Sequence, residues 1–402
     1  MIDRRSVLQG GVALLASSSL LGSSTLTSLA EEIVNLPIGN GQRPLVKYPQ
    51  KRPMIGLTER PPQLEMPFSV FNEGVITPND AFFVRYHLAG IPLEIDPATY
   101  TVEIKGKVNK PLKLSLADIK KMPAKEIVAV NQCSGNSRGF FDPRVAGGQL
   151  ANGALGNAKW KGVPLKAVLE KAGVQAGAKQ VVFDALDGPV MDTTPDFAKA
   201  LDLDVATNGD VMLAYQMNGA DLPMLNGFPL RVVVPGYFGT YWVKHINQIT
   251  VIDTVYDNFW MKTAYRIPDN ECACVEPGTA PKATVPINRF TVRSFITNVT
   301  NGQKLKSGKM TLKGFAFDGG TGIKQVDVST DGGKTWKAAK LGKDLGKYSF
   351  REWTLPVKLG SGSYDLKVRA TSNGGKVQPE TASWNPAGYM RNVIETTSVT
   401  VA

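Results

Sequence analysis

KMTLKGFAFDGG (residues 309–320), IKQVDVSTDGGKTWKAA (323–339), YSFREWTL (348–355) and SYDLKVRATSNGGK (363–376) are short runs of strand-forming residues separated by glycine turns. No helical periodicity interrupts them, and strands at this spacing predict an all-β sandwich. Immediately upstream, EPGTAPKATVP (276–286) reads as a linker. The sandwich is therefore assigned to 279–402.

Before the linker the texture is mixed. YTVEIKGKV (100–108) alternates like a strand, and QVVFDAL (180–186) and LRVVVPG (230–236) read as buried strands. Ser115 to Met122 predicts a short helix with Ser115 and Asp118 in capping-box spacing. LKAVLEKAG (165–173) predicts a second helix that stops at Gly173. Residues 76–278 are thus expected to form an α+β domain with a mixed sheet. The proline-rich stretch 31–75, with RPPQLEMP inside it, reads as an extended arm.

At the N-terminus, Arg4-Arg5 precedes an apolar, small-residue run from Gly10 to Leu21, and Ser28-Leu29-Ala30 offers a small-x-small cleavage site. The run is too short and too rich in Ser and Gly to span a membrane. The arginine pair resembles a twin-arginine signal, so 1–30 is read as an export signal and the mature chain as periplasmic, with no membrane anchor. The full chain carries 46 Lys and Arg against 35 Asp and Glu, a formal charge of +11. The basic residues are spread along the sequence, and no nucleic-acid module is present. The charge fits a solvated surface or a field that attracts an anionic substrate.

Three cysteines occur, Cys133, Cys272 and Cys274. The last two are one residue apart, and a disulfide closing so short a loop would be strained, so the chain is not read as a disulfide scaffold. That leaves Cys133 unpaired, which in an exported protein needs a reason. It sits in NQCSGNSRG (131–139), after the strand-like KEIVAV and beside Gly135 and Arg138. Nearby positive charge favours the thiolate, which is both nucleophile and metal ligand. One cysteine cannot build a structural zinc site, but it can anchor a metal whose remaining ligands come from a bound cofactor. The alternative is a small buried hydrophobe. Arg85 and His87, two apart in FFVRYH (82–87), face one way on an extended segment and could grip an oxyanion and a cofactor phosphate. LNGFPLRVVVPGYFGTYWVKHI (225–246) carries Arg231, Trp242, Lys244 and His245 around a Pro-Gly turn, and Tyr265 stands beside Arg266 in KTAYRIPDN (262–270). Either block alone could be core strand and surface charge.

Taken together, FFVRYHL, NQCSGNSRGFF, the block from Leu213 to Ile246, STDGGKTW and VRATSNGGKVQP…WNPAG resemble the sulfite oxidase family of molybdopterin enzymes, over nearly all of the mature chain. Its bacterial sulfite dehydrogenases are the most similar in form. The resemblance implies an α+β molybdopterin domain with a mixed sheet, followed by an immunoglobulin-like dimerisation sandwich, and hence a homodimer. It implies molybdenum and molybdopterin as cofactor, with Cys133 as the thiolate ligand of the metal. Arg85 and Arg138 would line the oxyanion pocket, with Tyr265 as the active-site tyrosine. Phe83, Val84, Arg85, Tyr86, His87, Asp187, Asn226, Arg231, Trp242, Val243 and Lys244 would hold the pterin and its phosphate.

Two positions depart from the vertebrate pattern: Ala387 stands where those members have a pocket arginine, with Arg391 nearby, and Asn226 stands where they have a histidine. The implied reaction is oxidation of sulfite to sulfate. The sequence has neither a cytochrome b5 segment nor a Cys-x-x-Cys-His haem motif, so a c-type cytochrome or haem subunit is expected as acceptor. The competing expectations are a related enzyme acting on a carrier-bound sulfur substrate, a sulfoxide reductase on the same scaffold, and a catalytically inactive binding protein.

Overall fold

The computed structural model describes residues 33–35 and 41–402. The segment read as an export signal, residues 1–30, lies outside the described residues. No helix among them is long and apolar enough to cross a membrane.

The proline-rich lead-in is a sheet. Strands Ile33–Asn35, Gln42–Val46, Met54–Thr58 and Gln63–Glu65 pair antiparallel in order and end on Val84–Arg85. Pro44 lies inside the strand Gln42–Val46, opposite Ile33, while Pro49, Pro53, Pro61, Pro62 and Pro67 lie between or just beyond the strands, where no ladder donor is missed. This sheet brings Arg85 to its edge.

Two further sheets form the half that precedes residue 279. One runs Lys199–Asp202, Gln180–Ala185, Ile246–Ile252, Thr101–Gly106, Leu112–Ser115. Ile246–Ile252 pairs parallel to Thr101–Gly106 while the other pairings are antiparallel, so the sheet is mixed. The other runs Ala220–Asp221, Met212–Met217, Leu155–Pro164, Lys125–Gln132, with Arg231–Val233 added against Met212–Met217. The helix Leu116–Lys121 has the expected capping box from Ser115 and Asp118. The helix Leu165–Ala172 stops at Gly173, whose φ of 70° is the left-handed cap that glycine adopts at least cost.

The C-terminal half is a sandwich of two sheets. Arg293–Ile296, Gly308–Phe317, Arg351–Leu359 and Lys340–Leu341 form one, and Lys304–Leu305, Thr396–Val401, Gly362–Ser372, Ile323–Ser329 and Lys337–Ala338 the other. Trp353, fully buried, centres its own core with Leu312, Val326 and Leu366. A second, larger core does not stop at the linker. Phe71, from the lead-in, packs on Phe315 at 4.7 Å and Phe350 at 6.0 Å, and Phe295, Phe317 and Tyr348 belong to the same apolar cluster as the two sheets that precede residue 279. Backbone bonds cross too: Val130 N–H donates to the Tyr348 carbonyl at 2.9 Å. The two halves therefore share one buried interface.

Cys272 and Cys274, expected to be too close to pair without strain, are joined by a disulfide. The Ala273 between them takes a left-handed φ of 48°, which brings the two Cα atoms to 5.1 Å, within ordinary disulfide range. Asn270 fastens the turn, accepting from the Cys274 N–H at 3.1 Å and donating to the Cys274 carbonyl at 2.8 Å. Cys133 is the one free cysteine.

Candidate active site

The strand Lys125–Gln132 delivers Cys133 to its C-terminal end, where the chain leaves the sheet. The next loop is held from outside. Cys133 N–H donates to the Ala154 carbonyl at 2.9 Å, Ser137 N–H to the Ala151 carbonyl at 2.7 Å, and Ala154 N–H to Asn136 Oδ1 at 2.9 Å. Behind that facing loop lies Glu65, almost fully buried, whose two carboxylate oxygens accept from the backbone of Ala151 (2.9 Å) and Gly153 (2.6 Å). Burial raises the Glu65 pKa to about 7 against the opposing pull of those two bonds.

Cys133 opens on a partly enclosed cavity of about 50 Å³. Phe83, Arg85, Tyr86, His87, Asp187, Asn226, Arg231, Trp242, Val243, Lys244 and Tyr265 line it, so the structure gathers most of the expected site in one place. Two expected residues stand elsewhere. Val84 alternates to the opposite face of its strand and is buried in the core. Arg138 lies off the cavity wall, in a slot whose sides are glycines: a Cβ on Gly135 or Gly147 would come within 2.9 or 2.8 Å of its guanidinium. It donates from Nε to the Ala387 carbonyl (3.1 Å) and from Nη1 to the Gly148 carbonyl (3.3 Å), and lies 5.1 Å from the Tyr389 ring.

At the catalytic end, Tyr265 is buried, with a left-handed φ of 59° that turns it inward. Its hydroxyl is hydrogen-bonded to His87 Nε2 and its ring stacks on Tyr389 at 5.5 Å. Burial raises the Tyr265 pKa, with Arg85 and Arg138 opposing the shift and Tyr389 and Cys133 adding to it. His87 stacks on Phe197 at 3.8 Å; burial first, then Arg85, Lys244 and Lys199, drive its pKa well down. The imidazole is therefore neutral.

At the opposite end the wall is cationic. Arg231 donates to the carbonyls of Asn226 (2.8 Å) and Trp242 (3.0 Å), and burial lowers its pKa to about 9. Lys244 donates to the Arg85 carbonyl at 2.5 Å and lies 3.2 Å from the Tyr86 ring centre. Asn226 donates to the Phe83 carbonyl at 3.0 Å and accepts from Lys51, which also donates to the carbonyls of Asn79 and Phe82. Asp187, raised to about 6 by burial, faces Lys244. His245 sits behind this wall: its Nδ1 meets the Phe228 carbonyl at 2.6 Å, so Nε2 accepts from the Tyr86 hydroxyl at 2.6 Å.

Asn131, Ser134, Phe197, Gly239 and Thr240 also line the cavity and escaped the sequence reading, as did Lys51, Lys199 and Tyr389 around it. Ser134, Gly239 and Thr240 lie inside motifs already singled out. Phe197 and Tyr389 carry no local signal. Arg391, near Ala387 in sequence, is ion-paired with Glu395 at 3.1 Å.

Residues 87–260 match the family model of the oxidoreductase molybdopterin binding domain, and residues 284–401 that of the Mo-co oxidoreductase dimerisation domain. The mitochondrial sulfite oxidase of Macaca fascicularis is 35% identical over 380 residues, covering 89% of this chain and 68% of that protein. The sulfite oxidase of Arabidopsis thaliana is 32% identical, covering 85% of this chain and 93% of its own. Among solved structures, the sulfane dehydrogenase SoxCD from Paracoccus pantotrophus superposes with a TM-score of 0.73 at 26% identity, over 84% of each chain.

Proposed function

Because the chain belongs to the sulfite oxidase family of molybdopterin oxidoreductases, we propose that it oxidises sulfite to sulfate in the periplasm and hands the electrons singly to a c-type cytochrome. Its cofactor is molybdenum bound to molybdopterin. The cavity fits that group on its own atoms. Arg85 Nη1, Asn131 Oδ1, Ser134 Oγ, Arg231 Nε and Thr240 Oγ1 are buried, line the cavity and have no protein partner. Buried polar groups are almost always satisfied, so this cluster is the observation that carries the reading: it calls for a polar ligand. Cys133 would bind the metal, and Arg231, Lys244, Asn226 and Asp187 would hold the pterin and its phosphate. When bound, the group supplies the two-electron oxidation and the oxygen transfer.

The chain's residues do the rest. Sulfite is a compact oxyanion, and SO₃²⁻ + H₂O gives SO₄²⁻ + 2H⁺ + 2e⁻. Arg85 offers Nη1 for a charge-assisted bond to it, and Arg138 adds a fixed positive charge. Tyr265 keeps its proton on oxygen and His87 stays neutral, so their bond orients a donor at the anion without adding a negative charge. The two electrons leave to two one-electron acceptors.

The periplasmic location rests on the sequence of residues 1–30 and is tested by export of an Arg4→Lys/Arg5→Lys variant. The dimerisation-domain match over 284–401 supports a homodimer. A second reading, oxidation of a sulfur atom held on a carrier protein, is favoured by the similarity to the sulfane dehydrogenase. One assay separates them. Molybdenum-loaded protein is given free sulfite and ferricytochrome c with no carrier. Reduction is expected; reduction only with carrier-bound sulfur would replace the first reading by the second.

A further inference from the structure

Large apolar side chains are seldom left in the open in one place. Leu93 is 87% exposed, Val190 65% and Met191 62%, and Leu186 is exposed beside them. All four lie on two loops joined by an antiparallel bridge between Gly90 and Gly188. Both loops start in the cavity wall. The first runs on from His87; the second contains Asp187 and ends at Phe197, and all three residues line the cavity. A groove lined by Glu94, Asp96, Glu103, Leu186 and Gln248 runs along the first loop.

The charge of this cap is opposite to that of the molecule. Residues 86–104 and 180–198 contain no Lys or Arg in a chain that has 46, and Glu94, Asp96, Asp192 and Asp196 are exposed there. An apolar centre with an acidic rim selects its occupant. Nucleic acid and anionic lipid are repelled. A second copy docking on this patch through a two-fold axis would set acid against acid. A basic protein with an apolar contact face is attracted and, once seated, covers the exposed side chains.

We infer that this cap is the docking face for the electron acceptor, a small haem protein whose exposed haem edge is ringed by lysines. The inference rests on the oxidative reading above. Each docking event removes one electron, so two acceptors are reduced per sulfite consumed.

The test uses the holoenzyme, saturating sulfite and two acceptors: ferricytochrome c, a basic haem protein, and ferricyanide, a small anion that needs no docking face. A Glu94→Lys/Asp192→Lys variant is expected to raise the KM for ferricytochrome c about tenfold or more at low ionic strength. It is also expected to flatten the salt dependence seen with the wild type, leaving the ferricyanide rate unchanged. Leu93→Ser/Met191→Ser is expected to raise the same KM at high salt, where only the apolar contact is left. An unchanged cytochrome KM in both variants overturns the inference. So does a shift from dimer to monomer in sedimentation with that KM unchanged, which would make the cap a contact between copies. Reduction of ferricyanide but not of cytochrome by the wild type overturns this inference and leaves sulfite oxidation standing, whereas no sulfite-dependent reduction of either acceptor overturns the reading beneath it.

Discussion

Cys133 and Glu65 show how one side chain can matter through its position and another through its proton. Cys133 is buried where the strand ends, in a loop whose backbone bonds do not involve its sulfur. Cys133→Ser should therefore leave the thermal midpoint within a few degrees of the wild type while abolishing sulfite oxidation. Substantial turnover by a molybdenum-loaded Ser variant would sink the ligand assignment. Glu65 is raised from its ordinary 4.5 to about 7. The folded protein then binds more protons than the unfolded chain between those values, so this residue makes stability fall as pH rises from about 4.5 to 7. The span corresponds to on the order of 1–3 kcal/mol. Glu65→Gln should flatten that part of the stability curve in urea titrations at pH 5 and pH 7; an equal slope in both proteins would refute the account.

Loops rather than strands carry the specificity of this site. The Arg138 slot is built from Gly135, Gly147 and the loop with Ala387 and Gly388, which comes from the C-terminal half. Gly147 has a φ of 107°, and a methyl group there would lie 2.8 Å from Arg138 Nη1. Gly147→Ala should displace the guanidinium and raise the KM for sulfite roughly tenfold, through loss of a nearby fixed positive charge rather than of a direct bond. Initial rates over a sulfite series would show this, and an unaltered KM would remove Arg138 from substrate binding.

The same loops mark where sequence reading stopped. The helix before Gly173 and the strand leading to Cys133 were legible because periodicity and capping are local. The lead-in sheet was not, since its short strands are fixed by partners such as Leu64 against Val84. Tyr389 lies 124 residues from Tyr265, and Lys51 175 from Asn226, and nothing local announces either meeting. Spacing alone argues against the Cys272–Cys274 pairing, because the left-handed turn at Ala273 that permits it is a tertiary choice.

The whole molecule behaves as two sheet assemblies with one shared core. Phe71, Phe315 and Phe350 cross the boundary, and Asp210 is hydrogen-bonded by the Tyr348 hydroxyl at 2.8 Å and paired with Lys125 at 2.8 Å. Halves joined this way should unfold together. Calorimetry is expected to give a single transition, and Phe350→Ala should lower its midpoint at a cost of about 3–5 kcal/mol. Two resolved transitions would mean that the halves are energetically independent.

The lysine-free cap has a consequence for how the protein moves before it touches anything. The chain as a whole carries a formal charge of +11, whereas the two cap segments hold exposed acids and no Lys or Arg. The cap is thus an acidic face on a cationic molecule. In the field of another charged body it feels a torque, and a positively charged visitor turns it cap first. Collisions then arrive pre-oriented, and the share of encounters that find the cavity mouth exceeds the share of surface that the mouth occupies.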